Sequence, residues 1–565
     1  MMSLRMFVTL VLCSLILIPS STRAGWQTNG NPICVETGSQ IDPQLVPDGE
    51  GGMLIVWSDT RFGSQDIFAQ RIDAFGNELW DPNGVPVCTT AATQSGAEVV
   101  LSGPGGAIIA WTDQRNSATT ANDIYIQKLN PSGVPQWTIN GMQLTNAIFN
   151  QSGPGGMVSD GEGGAILAWS DLRSGVELDI YAQRVNFLGT PVWTVNGVPV
   201  VDTPETVGDY HVIANGTGRA IVSWKDFRDG DGEIYVQSLA PNGSPDWPLN
   251  GVALSSGARL VGSVFHTIAT DDAGGVVAVW VDGRAVDPGV YTMRVRDVGT
   301  RAWVADVPMT LLPVVGNPVP RIVPDGAGGA ITSWADYRTA AIDIYAQRVD
   351  STGSVQWPTN GVVVVDTTGT QAFHAMTPDG PGGAIVVWRD SRGDDDDVYA
   401  QRLDSSGMRQ WGSQGIPVCT EAGGQGMIAA AAPGTGSGAI AVWWDNRSGD
   451  GGDIYAGELG LVLVGIGERT PTPGALRVMS NVPNPFGAAT TLRFALTRPA
   501  EVTIEVFDVS GRRITVDHLS GMSEGAHAVS FAGKNAVGRA LPNGVYFYRV
   551  SALGEVQTRK MVIAR

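Results

Sequence analysis

The sequence predicts an all-β protein, an eight-bladed β-propeller followed by a small β-sandwich. Three observations predict it. The triplet W-x-D-x-R recurs eight times at nearly constant spacing, no helix-period segment separates the copies, and the repetition stops near residue 465, where strands of another pattern begin.

In chain order, residues 1–24 come first. Arg5 precedes an apolar run from Met6 to Pro19, and small residues lead out at Thr22 and Ala24, the layout of a secretory signal peptide cleaved after Ala24. The run falls short of the roughly 18 apolar residues a membrane span needs, and no later stretch reaches that length, so no transmembrane segment is expected. The expected location is extracellular or on a bacterial outer surface. Cleavage would remove Arg5 and Arg23 and no acid, taking the formal charge from −19 to −21. With a pI near 4.6, such a chain offers no clustered positive charge for phosphates, which excludes a nucleic-acid partner and suits a soluble exported protein.

Residues 25–464 hold the repeat. The triplet stands at Trp57-Asp59-Arg61, Trp111-Asp113-Arg115, Trp169-Asp171-Arg173, Trp224-Asp226-Arg228, Trp280-Asp282-Arg284, Trp334-Asp336-Arg338, Trp388-Asp390-Arg392 and Trp443-Asp445-Arg447. Successive tryptophans lie 54, 58, 55, 56, 54, 54 and 55 residues apart. Each copy reads as four strands. In the first copy these are Pro43 to Val46, a glycine turn over Asp48 to Gly52, Met53 to Arg61, Asp66 to Arg71, and a fourth strand carrying Trp80 and ending at Asn83-Gly84. Four-stranded units without intervening helices fit propeller blades, with a linear solenoid as the rival.

A second tryptophan series, W-x-x-N-G, chooses between ring and solenoid. The eighth copy lacks this phrase after Glu458, whereas Trp26-Gln27-Thr28-Asn29-Gly30 supplies it at the other end of the chain. The expectation is a ring fastened by the N-terminal strand. Alternate residues of a strand share a face, so Trp57, Asp59 and Arg61 point the same way, as do Trp169, Asp171 and Arg173 or Trp334, Asp336 and Arg338. The tryptophan is read as filler between blades and the Asp–Arg pair as a structural clamp repeated eight times.

Cys13 lies in the signal peptide, leaving Cys34, Cys88 and Cys419, an odd number at positions where other copies carry valine. They read as small apolar fillers, with a disulfide between two of them as the alternative in an oxidising compartment.

Residues 465–477 have the prolines and glycines of a linker, and alternating strands follow at Thr491 to Leu496, Val502 to Val506, Ala528 to Ala532, Val545 to Val550 and Gln557 to Ile563. The phrases Asn484-Pro485-Phe486, Val506 to Arg512, Gly538-Arg539, Pro542 to Arg549 and Thr558 to Ile563 resemble the FlgD-type immunoglobulin-like domain found at the C-termini of secreted bacterial proteins. They are also close to the C-terminal sorting domains of type IX secretion. The resemblance covers residues 478–565 and departs at Ser530 to Asn535, where the family commonly has a tryptophan followed by Asp-Gly. It implies an export, sorting or surface-presentation module that partners secretion machinery and contributes no catalytic residue.

Candidate site residues are those that break the repeat. His266 and His374 stand 14 residues before their tryptophans and His211 stands 13 before Trp224, so all three fall on first strands that would line the axial channel. Asp229, Asp231 and Glu233 alternate oxygen ligands with glycine at a hairpin tip, which marks calcium as the one cofactor to test. No H-E-x-x-H, P-loop or C-x-x-C motif occurs, and the S-x-D-x-G-x-x-W box of sialidases is absent. The expected function is therefore a noncatalytic extracellular binding or scaffold protein for a glycan or protein ligand. The alternative is a sialidase-like glycoside hydrolase with a propeller active site, which needs an acid, a nucleophile and substrate-binding arginines converging on one face.

Overall fold

A computed structural model describes residues 25–205, 207–216, 218–228, 230, 232–255, 265–283, 289–312, 319–339, 341–433, 438–460, 476–482, 486–487, 489–496, 498–508, 512–523, 525–535, 539–553 and 555–563. The expected signal peptide, most of the expected linker, Asp229, Asp231 and Arg284 lie outside these residues. The chain divides into two compact units, Met1–Val462 and Leu463–Arg565.

Among the described residues the first unit is a series of eight antiparallel sheets, one per repeat, and in the first seven the strands follow one another in chain order. Sheet one comprises Gln40–Pro47, Met53–Asp59, Asp66–Ile72 and Val85–Cys88. Its second and third strands are buried throughout, because each is covered by a neighbouring sheet on both faces. The expected fourth strand over Trp80 is displaced. Asn83 and Gly84 take φ of 62° and 85°, two left-handed residues in a row, so the N-G pair turns the chain and the strand begins only at Val85.

That turn explains the glycine. A Cβ on Gly84 would lie 2.3 Å from the Trp57 ring, and on Gly197 it would lie 2.5 Å from Trp169. The same glycine lies over the buried tryptophan in every sheet but the fifth, where Asp306-Val307 replaces the N-G pair, and all eight tryptophans are fully buried. The second tryptophan series ties neighbouring sheets: Trp80 Nε1 donates to the Pro131 carbonyl at 2.9 Å, and Trp193 Nε1 to that of Pro241 at 2.9 Å.

The sheet of the eighth repeat contains Gln425–Ala431, Ala439–Asp445, Asp453–Leu459 and, as its fourth strand, Asn31–Cys34 from the start of the chain. Asn31 pairs with Ala456, a Cβ on Gly30 would meet the Trp443 ring at 2.4 Å, and Trp26 Nε1 donates to the Ala74 carbonyl of sheet one at 3.1 Å. First strands of consecutive sheets pack side by side, and Gln425–Ala431 packs against Gln40–Pro47.

The second unit is a two-sheet sandwich. Leu476–Val482, Thr490–Leu496 and Gly525–Phe531 form one sheet; Arg513–Met522, Ala500–Asp508, Gly544–Ala552 and Glu555–Ile563 form the other. Phe494, Ile504, Tyr548 and Met561 are among the buried residues between them.

Candidate functional site

Among the polar constellations of the first unit, the W-x-D-x-R frame is repeated and an Asp–His cluster is not. In the repeated one, Trp169 Nε1 donates to Asp171 Oδ2 at 2.8 Å, and the Arg173 backbone N and Nε donate to Oδ1 at 2.9 and 2.8 Å. The guanidinium also donates to the Asn196 carbonyl at 2.8 Å and lies 3.5 Å from the Tyr181 ring centroid. The indole and backbone contacts recur at Asp59, Asp113, Asp336 and Asp390. In the eighth repeat Arg447 donates to the Asn29 carbonyl at 2.9 Å, so the N-terminal strand completes the clamp there. This frame joins the second and fourth strands of a sheet and leaves the carboxylate fully enclosed, with no access for a ligand.

The three cysteines belong to the same frame. All are free and buried, and Arg61, Arg115 and Arg447 donate to the sulfurs of Cys34, Cys88 and Cys419 at 2.9, 3.1 and 3.1 Å. Burial pushes the thiols up to about 12, 11 and 12.

The nonrepeating constellation lies on the first strands. One register position there, opposite the residue preceding the buried tryptophan, carries Gln44, Glu98, His211, Thr267, Arg321, Ala375 and Ala429 in different sheets. A framework copied eight times is thus discarded at the position where the first strands face one another. Several of these strands also carry a bulge, and the bulged residue takes a left-handed conformation: φ is 54° at Asp42, 44° at Asp209 and 49° at Phe373. Such a conformation is strained for a residue with a side chain, and the bulge re-aims it.

In sheet four the bulge turns Asp209 toward the first strand of sheet five. Asp209 Oδ2 is 3.3 Å from His266 Nδ1, and Oδ1 is 3.9 Å from His211 Nε2. The two imidazoles meet edge to face with centroids 4.9 Å apart, and His266 Nε2 is 2.9 Å from Ser223 Oγ. One ligand atom from each of Asp209, His211 and His266 lies within 4.8 Å of the others, a set able to chelate a divalent cation. Burial pushes His211 down to about 4. For Asp209 burial acts upward, but hydrogen bonding and charge from His266 outweigh it and hold the carboxyl below its ordinary range.

Around this cluster stand further groups that the repeat does not supply. Tyr210 packs on Gly153 and Gly155 of sheet three and accepts from the Gly155 N–H at 3.0 Å. Glu98 of sheet two is close enough to influence Tyr210, and burial pushes its carboxyl up to about 7. Arg321 of sheet six, whose charge reaches His211, donates from Nε to the His374 carbonyl at 3.0 Å. Arg321, His374, Arg389, Phe265, Tyr337 and Phe373 are among the residues lining a cavity of about 500 Å3. Arg389 lies over the Phe373 ring, 4.2 Å from its centroid. His374 is enclosed, its Nε2 makes no hydrogen bond among the described residues, and burial pushes it down to about 3.

Of the three histidines singled out in the sequence, the fold therefore joins His211 with His266 and places His374 in the adjoining cavity. Sequence reasoning missed Asp209, Glu98, Tyr210, Arg321 and Arg389. Superposing the copies on their tryptophans would have exposed Glu98 and Arg321 as departures from the repeat; Asp209 is set off that register by the bulge. At the calcium candidate, Asp229 and Asp231 lie outside the described residues, and Glu233 opens a strand opposite Asp226. The cation-binding geometry stands at the Asp–His cluster instead, and it specifies no particular ion.

The model of the FlgD Ig-like domain family matches residues 481–555, so the second unit carries a FlgD-type immunoglobulin-like domain. No curated protein matches the chain. Among solved structures, the chain is similar to the Hadza microbial sialidase Hz136 (12% identity, TM-score 0.35), covering 54% of this chain and 66% of that one. It is also similar to a protein of unknown function from Dyadobacter fermentans (11%, TM-score 0.33, covering 66% and 96%). A third is the Penicillium chrysogenum alpha-L-arabinanase solved with arabinobiose (13%, TM-score 0.32, covering 54% and 94%). Likeness at this level carries no argument about activity, which rests on the side chains of this chain.

Those side chains correct the expectation of a noncatalytic scaffold. A scaffold needs no convergence of departures from the repeat, whereas Asp209, His211 and His266 come from two sheets to within bonding range of one ion, beside an arginine-bearing cavity. The expectation of no enzymatic role is overturned with it.

Proposed function

We propose that the eight sheets close into an eight-bladed propeller and that the chain is an extracellular glycoside hydrolase acting at the mouth of its axial channel. The observation that carries this reading is the asymmetry of the first-strand register, where Glu98, His211 and Arg321 replace one another from sheet to sheet. Closure is supported by the pairing of Asn31–Cys34 with the last repeat and by the packing of its first strand on that of sheet one.

Glycoside hydrolysis needs one carboxyl that is protonated near neutral pH and a second group on the other side of the bond. Glu98, pushed up to about 7, suits the general acid. Asp209 with His211 and His266 suits the group that positions the attacking water. The cavity supplies aromatic faces for a sugar ring in Phe373, Phe265 and Tyr337, and two guanidinium groups in Arg321 and Arg389. Paired arginines favour a sugar carrying a carboxylate, the sialidase-like form of the reading. The FlgD-type domain serves export, sorting or surface presentation.

The test is hydrolysis of neutral and acidic chromogenic glycosides and extracellular polysaccharides by the full mature chain. Glu98→Gln should lower kcat by about 100- to 10,000-fold with little change in stability at acid pH. Absence of hydrolysis across the panel, or a Glu98→Gln enzyme as active as the wild type, would reject the proposal.

A further inference from the structure

We propose that Asp209, His211 and His266 form a three-ligand site for a divalent transition-metal ion of the Zn2+ class, with its remaining positions open to the channel. The proposal deepens the hydrolase reading, on which its catalytic meaning rests, but the metal site stands on its own geometry.

The first argument is separation. A tetrahedral ion with ligands at about 2.0–2.2 Å holds them roughly 3.4 Å apart. The nitrogen and oxygen of His266 and Asp209 are 3.3 Å apart, His211 Nε2 is 3.9 Å from the other Asp209 oxygen, and all three ligand atoms fall within 4.8 Å. A small inward movement closes the set on one ion.

The second argument concerns the partners of the two imidazoles. The His266 side chain is 0% exposed, and Ser223 Oγ lies at hydrogen-bond distance from its Nε2. Ser223 engages Nε2 and leaves Nδ1 turned to the Asp209 carboxylate, so an imidazole nitrogen and a carboxylate oxygen face one another at a separation that one ion can bridge. A hydroxyl on the far nitrogen is also how ligating imidazoles are held in the correct tautomer. His211 adds an Nε2 that makes no hydrogen bond among the described residues.

The third argument is ligand chemistry. Two imidazoles and one carboxylate suit Zn2+, Co2+ or Fe2+, whereas Ca2+ and Mg2+ prefer oxygen. Three protein ligands with an open position are the pattern of sites that activate water. The strained φ of 44° at Asp209 is the local distortion that brings the third ligand into place.

The test uses the full mature chain stripped with chelator and titrated with Zn2+ by calorimetry, with bound metal counted after dialysis and Co2+ absorption reporting coordination. The expected result is one equivalent per chain. It should be lost in His211→Ala and Asp209→Asn, weakened about 10- to 100-fold in Ser223→Ala, and retained in His374→Ala and in His518→Ala, an exposed histidine on Arg513–Met522 of the second unit. Tryptophan emission checks that each variant is folded; Asp209→Asn keeps the side-chain shape if His211→Ala does not fold. No binding by the wild type, or an equivalent retained in both ligand variants, would overturn the proposal. Zn2+ binding without glycan hydrolysis would sink the hydrolase reading and leave the metal site intact.

Discussion

Replacing Asp171 by alanine separates a structural clamp from a functional carboxylate more sharply than any other single change. The carboxylate is 0% exposed and accepts from the Trp169 indole and from the Arg173 backbone and side chain. Without it the indole N–H of a fully buried tryptophan has no acceptor, a cost of about 1–3 kcal/mol. Arg173 fares better: its side chain is 23% exposed, still donates to the Asn196 carbonyl and still lies on Tyr181, so its orphaned charge adds roughly 1 kcal/mol rather than the full penalty of a buried ion. The expected loss is about 2–4 kcal/mol, and Asp336→Ala should match it within about 1 kcal/mol because its contacts repeat those of Asp171. All seventeen tryptophans of the chain lie between Trp26 and Trp444, so guanidinium unfolding followed by tryptophan fluorescence reports on the first unit alone. A loss below about 1 kcal/mol in both variants, or a stable Asp171→Ala that alone loses activity, would refute the clamp.

Deleting residues 25–30 removes the Asn29 carbonyl that Arg447 uses, the turn over Trp443 and the Trp26 bond to sheet one, and should lower the first unit's unfolding midpoint, by about 3 kcal/mol or more in stability; an unchanged midpoint would deny closure by this strand. Glu98 holds its proton to about pH 7 in the folded chain against an ordinary value of 4.5, so the folded state binds more protons in that window and stability falls as pH rises through it. The deficit, complete above pH 7, is on the order of 1–3 kcal/mol after allowing for a carboxyl that lines solvent-reachable space. Glu98→Gln should therefore raise the melting temperature at pH 8 and leave it unchanged at pH 4, and equal shifts at both would contradict the buried-acid account. Cys34, Cys88 and Cys419, enclosed and with thiols pushed far above neutral, should resist iodoacetamide at pH 8 until the chain is unfolded; alkylation of any one in the native protein would contradict their burial.

The sequence by itself determined the repeat, its four-stranded units, the place of the N-terminal phrase and the second unit's strands, because these depend on local patterns that recur or alternate along the chain. Even there it misplaced the fourth strand: Trp80 drew the expectation onto a segment that Asn83 and Gly84, both left-handed, convert into a turn. It also passed over Leu476–Val482 and Arg513–Met522, which pair with their neighbours in sequence, Thr490–Leu496 and Ala500–Asp508. Only the tertiary structure decided the site. His211 and His266 are 55 residues apart in sequence, Asp209 joins them through a bulge that no periodicity announces, and Glu98 and Arg321 reach the same ground from other sheets. Titration is likewise a tertiary property: Glu98 differs from any other glutamate in the sequence only through the desolvation that its neighbours impose.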